Sequence, residues 1–196
     1  MDNTAFGSKK LQLPKFLQGK KAITLIIGAV VAILIVVLIV IFVNQRSTKL
    51  NDEASDRLSE AYGSFAASND EQGLAFLNDI VTNYPKTSAA YQARLFLGDY
   101  YVGLGNFNEA LAYLATTSTD ATPEELRPLA LARIIYLYDV RNEFINARNS
   151  AQEFVNLYPS HFLTKSVYIS LARYYALTGS IDDVRRVCNE ILSKFP

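Results

Sequence analysis

The sequence predicts an all-α protein in which a single N-terminal transmembrane helix is followed by an α-solenoid of about four helical hairpins. Three observations carry this expectation. Residues 22–43 form an uncharged and almost wholly apolar run. Beyond it, an offset of 37 residues brings the chain onto itself, which is the mark of a stacked repeat. No β-type alternation of useful length competes with the helical spacing.

The zero formal net charge of the chain is the sum of unlike parts. Residues 1–21 carry five lysines (Lys9, Lys10, Lys15, Lys20, Lys21) and one acid, Asp2, for a net charge of +4, and the segment from residue 44 onward carries −4. Between them Ala22 to Val43 reaches roughly 33 Å as a helix at about 1.5 Å per residue, enough to cross a hydrocarbon core of about 30 Å. Its many Ile and Val residues favour strand in water, but lipid requires every backbone amide to be satisfied internally, and that requirement dominates. A cleaved leader fits badly, because the run is longer than a secretory apolar region and ends in Phe42, Val43, Asn44 and Gln45 with no small-residue site. Gly28 and Ala32 make one small-residue pair, which reads as incidental.

Lys15, Lys20 and Lys21 flank the span on its amino side, against Arg46 and Lys49 on the other, where Asp52, Glu53 and Asp56 follow. The positive-inside rule therefore expects a cytoplasmic tail over 1–21 and an exported chain beyond the span. The expected organisation is the tail 1–21, a transmembrane helix 22–43, a linker 44–52 and a helical repeat domain 53–196.

Within the repeats, Ala93, Phe96, Leu97, Tyr100, Tyr101 and Leu104 lie on one helical face. Shifted by 37, Ala93, Leu97 and Tyr101 become Ala130, Ile134 and Tyr138, then Val167, Leu171 and Tyr175. Each of these helices should stop at a residue suited to a left-handed backbone: Gly105, Asn142 and Gly179. The second helix of each hairpin reads Ala147, Ala151, Phe154, Tyr158 in one copy and Val184, Cys188, Ile191, Phe195 in the next. Both end at aromatic-proline, Tyr158-Pro159 and Phe195-Pro196, where a helix cannot continue. Leu77, Ile80, Tyr84 and Pro85 trace an earlier copy, whose first helix is expected from Asp52 to Ala67 with Leu58, Ala61 and Phe65 inward. One copy departs from the pattern. The run Thr116 to Asp120 predicts an early helix end, and Thr122-Pro123-Glu124-Glu125 predicts a restart with Thr122 as N-cap and Glu125 closing a capping box.

Leu97-Gly98-x-x-Tyr101 with Ala110 nine residues on, and Tyr138 with Ala147 and Pro159, resemble the core of the tetratricopeptide repeat over about residues 53–196. Tyr84-Pro85-Lys86-Thr87-Ser88-Ala89-Ala90 resembles the repeat starts of BamD-like and YbgF/CpoB-like envelope proteins. This chain lacks the lipidation cysteine of those relatives. A cytoplasmic tail, one span and exported repeats resemble instead the layout of YfgM-type ancillary subunits of the SecYEG translocon. The resemblance implies a non-enzymatic scaffold or adaptor for protein-protein contacts on the periplasmic side of the inner membrane. Its alternatives are a chaperone-like client binder at the export translocon and an organelle-surface receptor with cytosolic repeats.

Chemistry finds little support. One cysteine and one histidine cannot build a zinc site, and the acidic folded part lacks the basic stripe that nucleic-acid binding needs. His161 reads as a surface or first-turn residue, Cys188 as a buried inert thiol, and Asp182-Asp183 and Glu124-Glu125 as helix-start carboxylates. Gly98 and Gly103-Leu104-Gly105 follow no strand and precede no phosphate-binding lysine. Neither catalysis, a cofactor nor a small-molecule substrate is expected. What remains is surface. In tetratricopeptide folds the first helices line a concave groove, and Tyr91, Leu95, Asp99, Ala132, Tyr136, Asp139, Ile169 and Arg173 are the groove candidates for a protein partner offering a peptide or a helix.

Overall fold

A computed structural model describes residues 20–195, so the basic tail up to residue 19 and the closing Pro196 lie outside the described residues. Among those described, the chain forms eight helices and no strand: α1 (Lys20–Ala66), α2 (Asp70–Asn83), α3 (Ser88–Gly103), α4 (Phe107–Asp120), α5 (Leu126–Val140), α6 (Phe144–Leu157), α7 (Thr164–Leu177) and α8 (Ile181–Lys194). Two compact units divide at Thr48 and Lys49.

In the first unit, α1 is long and apolar enough to be a candidate membrane span, with a mean hydropathy of 3.2 in its most apolar stretch and none of that stretch buried. Leu34, Leu38 and Phe42 are all exposed; side chains so apolar and so bare are suited to lipid rather than water. The segment 44–52, expected as a linker, is helical throughout.

The second unit repeats one hairpin. α1, α3, α5 and α7 are each followed by a residue with positive φ: Ser68 at 59°, Gly105 at 76°, Asn142 at 57° and Gly179 at 80°, spaced 37 residues apart. Each closes its helix with the same two bonds. Its own N–H donates to the carbonyl three residues back, and the next N–H donates to the carbonyl five back, over 2.9 to 3.1 Å. This is the Schellman closure, which satisfies carbonyls that the helix end would otherwise leave bare. Gly105, Asn142 and Gly179 fall where the sequence placed them, and Ser68 supplies the fourth turn that sequence reasoning missed.

Burial follows in segments. Ala54, Leu58 and Ala61 join Leu77 and Ile80 of α2 and Ala93 and Leu97 of α3. Leu95, Ala110 and Leu114 join Ala130, Ile134 and Leu137. Leu131 and Ile135 join Phe154, Leu171, Tyr174 and Val187. Each fully buried side chain of this size contributes about 1.5–3 kcal/mol, and each cluster links only neighbouring hairpins, as in a solenoid. At the closest approach, a Cβ on Gly98 would meet Leu114 at 2.7 Å, so α3 and α4 pack backbone to side chain.

Three local expectations are corrected. α4 does not end early: Thr116, Thr117 and Thr119 donate their hydroxyls to carbonyls four residues back and continue the helix to Asp120. The capping box at Thr122 and Glu125 does not form. Glu125 itself stands at the N-cap of α5, with helical backbone angles and no capping bond from its side chain, while Arg127 ties the connection down by donating from Nε to the Ala121 carbonyl at 3.0 Å. Cys188 is exposed rather than buried. Its equivalent Ala151 is covered because α6 packs on both α5 and α7, whereas α8 packs on α7 and turns Val187 inward instead.

Candidate functional site

The first helices α3, α5 and α7 carry the eight groove candidates, and the structure treats them unequally. Tyr91 is 6% exposed beneath the Arg94 guanidinium, whose carbon stands 5.1 Å from the ring centroid. Leu95 is 7% exposed, packed into the cluster with Ile134 and Leu137 of α5. Neither lines an open groove. Their expectation as surface residues fails because α3 packs against α2, α4 and α5 at once, which leaves little of its circumference free.

The other six are accessible to different degrees. Asp99 is exposed and accepts from Arg133 Nε at 2.9 Å. Ala132, Tyr136 and Asp139 line a shallow hollow of about 180 Å³ between α5 and α7, closed on the far side by Leu163, Ser170 and Tyr174. Tyr136 is 59% exposed at its mouth. Arg173 reaches from α7 to Asp139, and this bond holds the guanidinium pKa above its ordinary value. Burial pushes the neighbouring Tyr174 phenol up. Ile169 is 56% exposed on α7 but is not part of the hollow.

Asp99 with Arg133 and Asp139 with Arg173 are both separated by 34 residues and both join successive first helices. Arg133 was not among the candidates. The recurring acid-to-arginine spacing of 34 was the signal that finds it. Because each acid already holds an arginine, the groove presents apolar and neutral polar surface rather than free charge. At about 180 Å³ the hollow is smaller than the roughly 300–1,000 Å³ of small-molecule sites. It suits a single anchoring side chain.

Nothing described assembles chemistry. His161 is half-buried with Nδ1 accepting from the Leu163 N–H at 3.3 Å and its ring edge-on to Phe154. Asp182 and Asp183, in the first turn of α8, pair with Arg185 and Arg186 three residues on. Among the described residues no group of three or more His, Cys, Asp or Glu side chains is placed to hold a metal.

A family model for the tetratricopeptide repeat-like domain matches residues 20–154. The chain belongs to that family. Its repeats are therefore those of a protein-interaction scaffold, a class generally without catalysis. The match takes in the apolar helix together with the first hairpins. α7 and α8 lie beyond it, yet α7 ends in the same positive-φ closure and is tied to α5 by the same acid-to-arginine spacing. A comparison with curated proteins gave no match.

Proposed function

We propose that this tetratricopeptide protein is a membrane-anchored scaffold that holds a protein partner near the bilayer through the hollow between α5 and α7. Residues 22–43 form the anchor, 1–21 the cytoplasmic tail, 44–52 the connection and 53–196 an exported repeat domain on the periplasmic face of the inner membrane. The lysine excess on the amino side of the span supports this orientation. The observation that carries the reading is the open hollow itself: Tyr136 exposed at its mouth, Ala132 and Ser170 giving it small walls, and its one acid already bound by Arg173. A partner docks there by an apolar side chain of a peptide or helix. Tethering to the bilayer raises the effective concentration of whatever is held, so a modest groove affinity suffices.

Photocrosslinking in cells from a benzophenone amino acid introduced at Tyr136 tests the reading. A discrete adduct with one membrane or exported protein is expected; recovery of free chain alone, in cells where the protein is abundant, overturns it. Protease added outside the cytoplasmic membrane should digest the repeats, and their protection would place them in the cytosol.

A further inference from the structure

Tyr138 and Glu153 recur one repeat on as Tyr175 and Glu190, 37 residues later in each case, yet the two pairs are treated differently. The later pair is served by the chain's own cations. The guanidinium carbons of Arg148 and Arg186 stand 5.5 and 5.7 Å from the centroid of the Tyr175 ring. Arg186 also donates to the Glu190 carboxylate at 2.9 Å, and the Tyr175 hydroxyl donates to Gln152 at 3.2 Å. An aromatic ring beside a carboxylate attracts a guanidinium through both the ring face and the charge.

The earlier pair has the same two receptors without those cations. Leu111, Ala115, Asn149 and Leu157 stand where the later copy has Arg148, Gln152, Arg186 and Lys194. Tyr138 and Glu153 instead line a hollow of about 320 Å³ between α4 and α6, with Leu111 and Leu157 at its sides. Among the described residues, neither the Glu153 carboxylate nor the Tyr138 hydroxyl has a hydrogen bond or ion pair. Arg127, whose charge reaches the neighbouring Tyr158, is committed to Glu124 at 3.5 Å and to the Ala121 carbonyl. The molecule therefore shows, one repeat on, what this combination of ring and carboxylate holds.

We propose that the α4–α6 hollow is a second docking site, which takes an arginine side chain of a protein partner. The guanidinium lies against the Tyr138 ring and pairs with Glu153, as Arg186 does with Tyr175 and Glu190, and the aliphatic stem runs along Leu111 and Leu157. The site shares no lining residue with the α5–α7 hollow and does not depend on what that hollow holds.

The full chain in detergent, with a fluorotyrosine at Tyr138, is titrated with N-acetylarginine amide. The fluorine resonance should move saturably with this probe and stay in place with the citrulline analogue, which has the same shape without the charge. Glu153→Gln should weaken binding about fivefold or more. Asn149→Arg rebuilds the Arg186 arrangement within the chain, so it should shift the resonance without the probe and block the titration. In cells, a benzophenone amino acid at Leu157 should give a protein adduct whose yield falls in Glu153→Gln. No saturable shift, an equal response to the citrulline analogue, full affinity in either variant, or adducts with lipid alone each overturn the proposal. If Glu153→Gln loses its helical circular dichroism, Asn149→Arg, at an exposed position, decides. Crosslinking from Tyr136 reads the α5–α7 hollow separately, so failure of either site is distinguished.

Discussion

Leu95, Ala132 and Ile169 stand at the same place in three successive first helices, 37 residues apart, yet Leu95 is 7% exposed, Ala132 half-buried and Ile169 56% exposed. The difference lies in what each side chain can reach. Leu95 is long enough to cross to α5 and enter the cluster with Ile134 and Leu137. Ala132 offers one methyl toward α7, and the space a longer side chain would occupy is the hollow beneath Tyr136. Asp139 and Arg173 bridge the rim above it. One repeat position is thus mortar between α3 and α5 and wall of the proposed docking hollow between α5 and α7. The period places residues; side-chain volume and neighbouring helices decide which become surface.

The strongest way to break this comparison is to exchange the two roles. Leu95→Ala should cost about 2–5 kcal/mol, the usual range for truncating a buried leucine, whereas Ile169→Ala should stay within about 0.5 kcal/mol. Urea titrations followed by circular dichroism in detergent measure both, and equal effects would show that the two sides are not different. Ala132→Leu makes the reverse exchange. It should fill the hollow, weaken partner capture from Tyr136 about tenfold, and leave stability unchanged or raised by about 0.5–2 kcal/mol, as cavity filling does. Undiminished capture would separate the partner from the hollow.

How much of this was legible in the sequence varied with the kind of signal. The period, the apolar helix and three of the four turns were readable because glycine and asparagine announce a left-handed backbone. Ser68 was not, since serine pays the full Cβ penalty there. Ser68→Gly should accordingly raise stability by about 1 kcal/mol, and no gain in the same titration would mean that the turn is not strained. The α4 end was misread because a threonine run opposes helix in isolation, whereas here its hydroxyls bond back onto the helix and Thr117 and Leu114 are buried. Tyr91, Leu95 and Cys188 were misplaced for one reason. Spacing says which face a residue occupies but not how many helices cover that face.

The ion pairs that span both sides should matter little to stability. Arg133→Ala and Arg173→Ala, each removing a partly exposed pair, should cost about 0.2–1 kcal/mol. Their larger effect should be on the groove, where Arg173→Ala leaves the Asp139 carboxylate uncompensated beside Tyr136. Capture of an apolar anchor should then weaken, and undiminished capture in that variant would show that the pair does not keep the groove neutral.

The smallest expected effect contrasts the two ends of the repeat domain. α3 buries eight residues, whereas α8 buries only Val187 and is held to α7 in part by a polar network. Burial raises the Glu190 carboxyl pKa, but hydrogen bonds from the Tyr168 hydroxyl, Arg186 and Lys194 outweigh it and hold the group below its ordinary value. A carboxyl depressed in the folded state adds stability at and above the ordinary glutamate range, near about 4.3, and that stability is lost as pH falls through the folded value. Acid should therefore loosen α8 before α3. Amide hydrogen exchange resolved by helix should show protection in α8 declining as pH drops below about 4, after correction for the intrinsic rate, with α3 unchanged. In Glu190→Gln the pH dependence in α8 should flatten. If α8 and α3 instead lose protection together, the two ends unfold as one unit, and the open side owes its openness to side-chain volume alone rather than to weaker attachment of its last hairpin.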